Sequence, residues 1–331
     1  MTALKWIQAN ILGLVVVFSV GIFASVLGNS YSQFSAPVIA LLLGAAIANT
    51  GALGSWSQPA IKFVAGRLLK VGISLLGFRL AFSNIAEIGS PVGIFIIVIV
   101  VVLVFFGIRW LGSVLGVSKP LALLVSTGFS ICGISAIAAM RPVSEADDEE
   151  TGYAIGLVTL FGTLSLFLLP LFQIIFDIEA TAFGWWVGLS VHDTGQVVAT
   201  SSAISESALE SAVVVKMCRI LMLAPILMFV SSMKKVKSNN FQKRPPFIPI
   251  FILGFLGSST IRSVEIFSEK MLENIGDIRG FFITTAMFGL GAGINIKTLK
   301  SLGGRPLLLG FISWIFIIVL AGLGVLLESQ F

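Results

Sequence analysis

Charge is what this sequence has least of. Only 11% of its 331 residues are Asp, Glu, Lys or Arg, where soluble domains carry about 25%. A chain of this size needs a solvated surface to stay in water, so a soluble enzyme is excluded and lipid is the expected solvent. Histidine is reduced to one residue, His192, and the two cysteines, Cys132 and Cys218, both lie inside apolar stretches. Neither cysteine belongs to a closely spaced pair, so a disulfide framework or zinc site has no basis, and no metal or cofactor is expected. No phosphate-binding glycine loop occurs, so the chain itself is not expected to hydrolyse ATP. Cys132 with His192 as a nucleophile pair has no supporting spacing and no orienting partner beyond Asp193, so an enzyme is not expected either.

What remains is apolar. Hydrophobic residues make up 56% of the chain, with 27 Phe and 34 Gly, and the mean hydropathy is +1.04. A membrane span needs about 20 mostly apolar residues. Eleven candidates are read at 10–27, 37–50, 62–82, 91–111, 121–140, 153–176, 184–203, 212–231, 246–262, 278–295 and 306–327. The first starts like a signal peptide, but its apolar run is long and no clear cleavage site follows, so it is read as a retained helix. The fold class expected is an all-α membrane protein of about eleven transmembrane helices, with inverted-topology repeats and broken helices near the midplane. The chain is read as one polytopic domain over 1–331, with an extra N-terminal helix in 1–35 and a basic cytoplasmic linker at 232–246.

The net charge of +5 comes from basic residues scattered at helix ends, which argues against nucleic acid as a partner and for the cytoplasmic bias of Lys and Arg. With the N-terminus inside, Lys5, Lys62, Arg67, Lys70, Arg109, Lys119 and the basic residues around 234–244 and 297–305 fall on the cytoplasmic side. Trp6, Trp56, Trp110, Trp185 and Trp186 land at the same boundary, as an aromatic belt would. The expected location is the cell inner membrane, multi-pass, with the C-terminus on the opposite side. The acidic run Glu145–Glu150, behind Pro142 and Ser144, reads as a solvated helix start with Ser144 as its cap.

Two segments resemble each other. Pro37–Val38–Ile39 through Gly44 matches Pro246–Phe247–Ile248 through Gly254, and Gly77–Phe78–Arg79–Leu80 before Pro91 matches Gly293–Ile294–Asn295–Ile296 before Pro306, at a nearly constant offset. The segments 37–111 and 246–327 are therefore candidate inverted repeats, an arrangement that places transporter sites near the midplane. A five-helix register would also be inverted.

Three stretches carry polar chemistry at bilayer depth. Ser126, Thr127, Gly128, Ser130, Cys132, Gly133 and Ser135 crowd the fifth span, and a run so rich in glycine and hydroxyls is expected to break the helix. A break is tolerated only inside protein or facing a cavity, and it exposes a half-helix N-terminus suited to an anion. The seventh span carries His192, Asp193, Thr194 and Gln196. His192, Gly195, Gln196 and Ala199 are read as one helical face, and ionisable groups at this depth are functional candidates by default. The eighth span holds Lys216 and Arg219 one turn apart, a candidate anion site with Arg79 as a further contributor. The plainer readings are small-residue packing, a structural histidine bonded to Asp193, and cations reaching for the interface.

Taken with Gly72–Leu80, Cys132–Ile137, Ser190–Val198, Val215–Arg219 with Pro225, Ala286–Gly291 and Gly304–Leu308, these stretches resemble the YeiH-like sulfate exporter family of bacterial membrane proteins. Many relatives carry a Glu–Val pair where this chain has Asp193–Thr194. The resemblance implies membership of the larger cation–proton antiporter and anion transporter group, with crossing broken helices and, in similar folds, homodimers. It implies a secondary transporter of a small inorganic or organic anion. Substrate binding would fall to Lys216, Arg219, Arg79, Gln196 and the polar residues of the fifth span, and proton or ion coupling to His192, Asp193 and Thr194. A cation–proton antiporter using Asp193 and His192 is the alternative. Export of a dianion from a negative-inside cell gains about 4.6 kcal/mol per 100 mV, a gradient of roughly 2,000-fold, so efflux needs no coupled ion.

Overall fold

The structure is a computed structural model, and it describes residues 3–30, 35–80, 90–233, 249–294 and 304–328. Among these residues every regular element is helical. In chain order they are α1 (Ala3–Ala9), α2 (Ile11–Ser30), α3 (Ala36–Asn49), α4 (Gln58–Phe63), a π-helical turn (Val64–Leu68), α5 (Leu69–Leu76), α6 (Pro91–Val114), α7 (Lys119–Ser130), α8 (Ile134–Ser144), α9 (Asp148–Phe176), α10 (Ala180–Ser190), α11 (Thr194–Ser202), α12 (Glu206–Leu221), α13 (Leu223–Met233), α14 (Ile250–Ser263), α15 (Glu269–Ala292) and α16 (Gly304–Glu328). Most of the linker at 232–246, the Pro246–Ile248 start of the second repeat and Asn295 lie outside the described residues.

Local sequence sets many of these boundaries. Proline stands in the first turn of α3, α4, α6 and α7, where its missing N–H costs nothing. Ser90 and Ser118 cap α6 and α7 through their hydroxyls. The long α9 opens on a capping box between Asp147 and Glu150, so Asp147, three residues beyond the expected Ser144, is the cap. Ser144 instead ends α8, with Pro142 inside that helix. Arg141 pairs with Asp148 across the intervening turn.

Among the described residues, five helical stretches are long and apolar enough to cross a membrane: Ile11–Gly28, Pro91–Val114, Asp148–Phe176, Glu206–Met233 and Gly304–Glu328. α3 and α14 are shorter and also apolar. The figure of eleven crossings is not a count that length and composition of these helices supply.

The chain forms two compact units, each assembled from two stretches of sequence. The first comprises Met1–Ile85 and Ile250–Ile296. Here α15 packs along α3, α5 and α2, and α14 packs on α5. Gly44 and Gly291 sit where α3 and α15 touch, and a Cβ on either would run into the other helix's backbone. Asn49 donates across the same contact to the Ile294 carbonyl at 2.8 Å, and Ser74 does so from α5 to Phe251 at 3.1 Å.

The second unit comprises Ala86–Pro249 and Lys297–Phe331. It contains α6 to α13 and α16. α10 and α12 are its tightest pair: Gly184 and Gly188, one turn apart on α10, lie against the carbonyls of Ala208 and Ala212. Small residues four apart let two backbones meet where lipid supplies no hydrophobic drive. Around this seam, Leu169, Phe183, Val187, Val191, Val197, Ala208 and Ala212 form a fully buried cluster. Trp185, expected in a boundary belt, is instead interior at 2% exposure, seated over Gly93 of α6. Its neighbour Trp186 donates to the Ile318 carbonyl at 2.8 Å.

Candidate functional site

Two helices of the second unit are interrupted. The first break falls at Ile131–Gly133, between α7 and α8, where the fifth span was expected to break. Gly133 carries it at φ +68° and ψ −128°, a conformation that only glycine adopts without strain. The second break falls at Val191–Asp193, between α10 and α11, and was not expected. His192 therefore lies outside any helix, and the face that it was to share with Gly195, Gln196 and Ala199 does not exist as one helical stripe.

A helix broken inside an apolar bundle leaves its last carbonyls without partners. Here Lys216 and Arg219, both fully buried on α12, supply them. Arg219 donates from Nε to the Ser130 carbonyl at 3.1 Å and from Nη2 to Phe129 at 2.7 Å. Its Nη1 donates to Gly188 at 2.8 Å and to Val191 at 3.1 Å. Lys216 Nζ donates to Ile131 at 2.8 Å and to Val191 at 2.7 Å. Two cations at i and i+3 thus tie the C-terminal ends of α7 and α10 together. The negative ends of two helix dipoles, about half a charge each, meet the N–H donors of two basic side chains. Arginine is suited to this position because its planar fork reaches several carbonyls at once.

The other halves begin side by side. A Cβ at Gly133 would lie 3.4 Å from the Asp193 N and Cα atoms, so the start of α8 touches the start of α11. Ile134 and Ser135 are exposed there, and Asp193 and Thr194 are half-buried. Asp193 caps α11, accepting from the Gly195 N–H at 2.9 Å, and Gln196 completes a capping box by accepting from the Asp193 N–H at 3.3 Å. Gln196 also donates to the Thr159 carbonyl at 3.4 Å, held close to α9 by Gly162.

The remaining expected residues divide between the two ends of this crossing and elsewhere. Ser126 and Thr127 are buried on α7, and both hydroxyls bond back to the Leu123 carbonyl. Gly128 packs against Val158 and Ile137. Cys132 is buried within the first break. His192 is completely buried with its ring 4.1 Å from that of Phe129. Neither ring nitrogen has a hydrogen-bond partner among the described residues, and the same holds for the Ser130 hydroxyl. The Phe129 carbonyl beside the imidazole already accepts from Arg219. Arg79 belongs to the first unit, where it is exposed and lines a cavity of about 400 Å³ with Arg262, Arg279, Glu269, Glu273 and Asp277. Sequence reasoning missed the second break, although Asp193 followed three residues later by Gln196 is the spacing of a capping box.

Apolar helices that stop and restart inside a bundle, with buried cations closing one pair of ends, define a multi-pass membrane protein with discontinuous helices. Residues 12–310 match the family described as "Conserved hypothetical protein 698". The UPF0324 membrane protein of Corynebacterium glutamicum is 34% identical over 92% of this chain and 89% of its own length. That of Haemophilus influenzae is 33% identical over 93% and 94%, and the UPF0324 inner membrane protein YeiH of Escherichia coli K12 is 34% identical over 87% and 84%. The chain belongs to this family of YeiH-like membrane proteins. With its apolar helices, that membership supports a multi-pass location in the inner membrane.

Proposed function

We propose that the chain is a secondary transporter of a small anion, with sulfate export by alternating access as the first activity to test. The observation that carries this reading is the meeting of two half-helix starts at Gly133 and Asp193. Each contributes about +0.5 charge, the start of α8 has no side-chain cap over its first N–H groups, and broken helices of this kind form the substrate sites of many secondary transporters. Lys216 and Arg219 act behind the site: by neutralising the C-terminal ends of α7 and α10, they leave the N-terminal ends as the open positive pole. An anion there meets backbone N–H groups of α8 together with the hydroxyls of Ser135 and Thr194.

Asp193 supplies the coupling. Ionised, its carboxylate offsets the roughly +1 of the two helix starts; protonated, it leaves that charge for the anion. Anion binding and protonation of Asp193 then favour each other. The other charged or titratable groups of this region are Lys216, Arg219, Cys132 and His192, and the first two donate to carbonyls. A dianion travelling with one proton still carries a net negative charge out of a negative-inside cell. On this reading the chain is not an enzyme, its N-terminus is cytoplasmic, the 37–111 and 246–327 segments are inverted repeats, and the fold shares the antiporter group's architecture.

One observation favours a second reading. The buried cations that outnumber acids in the sequence are committed to carbonyls, so the acid at the open mouth, Asp193, is also where a cation–proton antiporter would bind its ion. Counterflow of labelled sulfate in proteoliposomes, at controlled pH and voltage and with sulfite, taurine and acetate as competitors, separates the two. Saturable, voltage-driven sulfate flux supports the anion transporter. Absence of sulfate flux, with pH-dependent cation exchange that is lost in Asp193→Asn, moves the chain to the antiporter class.

A further inference from the structure

The first unit carries a basic pocket that the transport reading does not use. It has a volume of about 290 Å³ and is lined by Trp6, Pro59, Lys62, Phe63, Gly66, Arg67 and Lys70. Three of its seven lining residues are cationic and none is acidic. Lys62, Arg67 and Lys70 are all exposed.

The backbone explains how three cations come to one place. In an uninterrupted α-helix, Lys62 and Arg67 would point about 140° apart. The π-helical turn Val64–Leu68 inserts one extra residue between them, which removes about 100° of that separation. Lys70 follows Arg67 at i+3, the spacing of neighbours on one face. Isolated π turns recur at functional sites because they cost helix hydrogen-bond geometry. The turn has two faces: Val64 and Ala65 press on Gly289 of α15, while a Cβ at Gly66 would meet nothing within 4 Å. The glycine leaves the floor of the pocket open.

The remaining walls are aromatic and apolar. Trp6 and Phe63 lie with ring centroids 5.4 Å apart. From Trp6 the chain continues into Ile7, Ile11, Leu12 and Val15, which are 45%, 58%, 62% and 56% exposed, a surface suited only to lipid tails. An anionic group flanked by hydrocarbon therefore fits on both counts: three cations for a phosphate, an aromatic collar at headgroup level, and an apolar helix for acyl chains.

We propose that Lys62, Arg67 and Lys70 form a binding site for the phosphate of an anionic phospholipid headgroup, with Trp6 and Phe63 as its collar. The ligand chemistry is a phosphate mono-anion, and the lipid rather than free phosphate is its source because Trp6 in the pocket wall leads directly into the exposed apolar residues Ile7, Ile11, Leu12 and Val15. The site is independent of the half-helix crossing, so it stands or falls apart from the proposed transport.

The test uses purified full-length chain in a neutral detergent, titrated with phosphatidylglycerol, with phosphatidylcholine and with inorganic phosphate. Native mass spectrometry counts retained lipid, and the melting temperature reports binding. Phosphatidylglycerol is expected to bind and raise the melting temperature, phosphatidylcholine to do neither, and inorganic phosphate to compete only weakly. Near a membrane surface each basic residue is worth about fivefold in affinity. The Lys62→Gln, Arg67→Gln, Lys70→Gln triple variant is then expected to bind about a hundredfold more weakly. Equal retention by the triple variant, or equal binding of phosphatidylcholine, would overturn the proposal. Inorganic phosphate binding as tightly as the lipid would overturn the lipid assignment. If the triple variant proves unstable, Arg67→Glu alone is the second probe, and unchanged lipid retention in it has the same consequence.

Discussion

At the scale of single residues, the account rests on what Lys216 and Arg219 touch. Each orphaned buried carbonyl costs about 1–3 kcal/mol. Arg219→Ala strips Phe129, Ser130 and Gly188 of a donor, and the destabilisation expected is at least about 3 kcal/mol, seen as a lower melting temperature in detergent. Arg219→Lys is expected to restore only a minor part, because an ammonium has three N–H groups on one atom for the four carbonyls that the guanidinium serves. Lys216→Ala should cost less than Arg219→Ala, since Arg219 still serves Val191. His192 gives the opposite expectation. Its ring nitrogens have no hydrogen-bond partner among the described residues, so His192→Phe removes a buried polar group without orphaning one of them, and the melting temperature should fall little or rise. A large fall would mean that the imidazole is bonded in the working protein. These two cations were visible in the sequence as buried charges. Their partners were not, because carbonyls some thirty and ninety positions away leave no mark on residue type.

Among the elements, the two breaks were unequally legible. The α7–α8 break announces itself through the glycine and hydroxyl crowding of Ser126–Ser135, which weakens any helix. The α10–α11 break hides in a stretch that reads equally well as a polar face, and only the Asp193–Gln196 spacing betrays a new helix start. Gly133→Ala tests the first break. A side chain at φ +68° costs about 1–3 kcal/mol and would press on Val158, so lower stability and reduced flux are expected together. Gly188→Leu tests the seam between α10 and α12. Its side chain would enter the space of the Ala212 carbonyl and Val215, and loss of the folded, monodisperse protein on size exclusion is expected. The π turn after α4 was illegible: Lys62, Arg67 and Lys70 sit at spacings that no regular helix aligns, and the sequence offers no sign of the extra residue.

For the whole molecule, hydropathy alone separated lipid from water as solvent and placed helices through the described residues. It did not foresee that the chain would build its two units from interleaved stretches, because which helix packs on which depends on close approaches such as Gly44 with Gly291. The functional claim belongs to this scale as well, since alternating access needs the complete chain in a membrane. The most direct test is the pH profile of labelled sulfate flux in proteoliposomes, measured side by side for the native chain and Asp193→Asn. Asparagine caps a helix as well as aspartate does, so the fold is kept while the proton site is removed. The prediction is flux that rises as pH falls in the native chain and is flat in Asp193→Asn. An identical pH profile in both proteins would contradict the coupling assigned to Asp193, and absence of sulfate flux from a chain shown to be folded and reconstituted would contradict sulfate as the substrate.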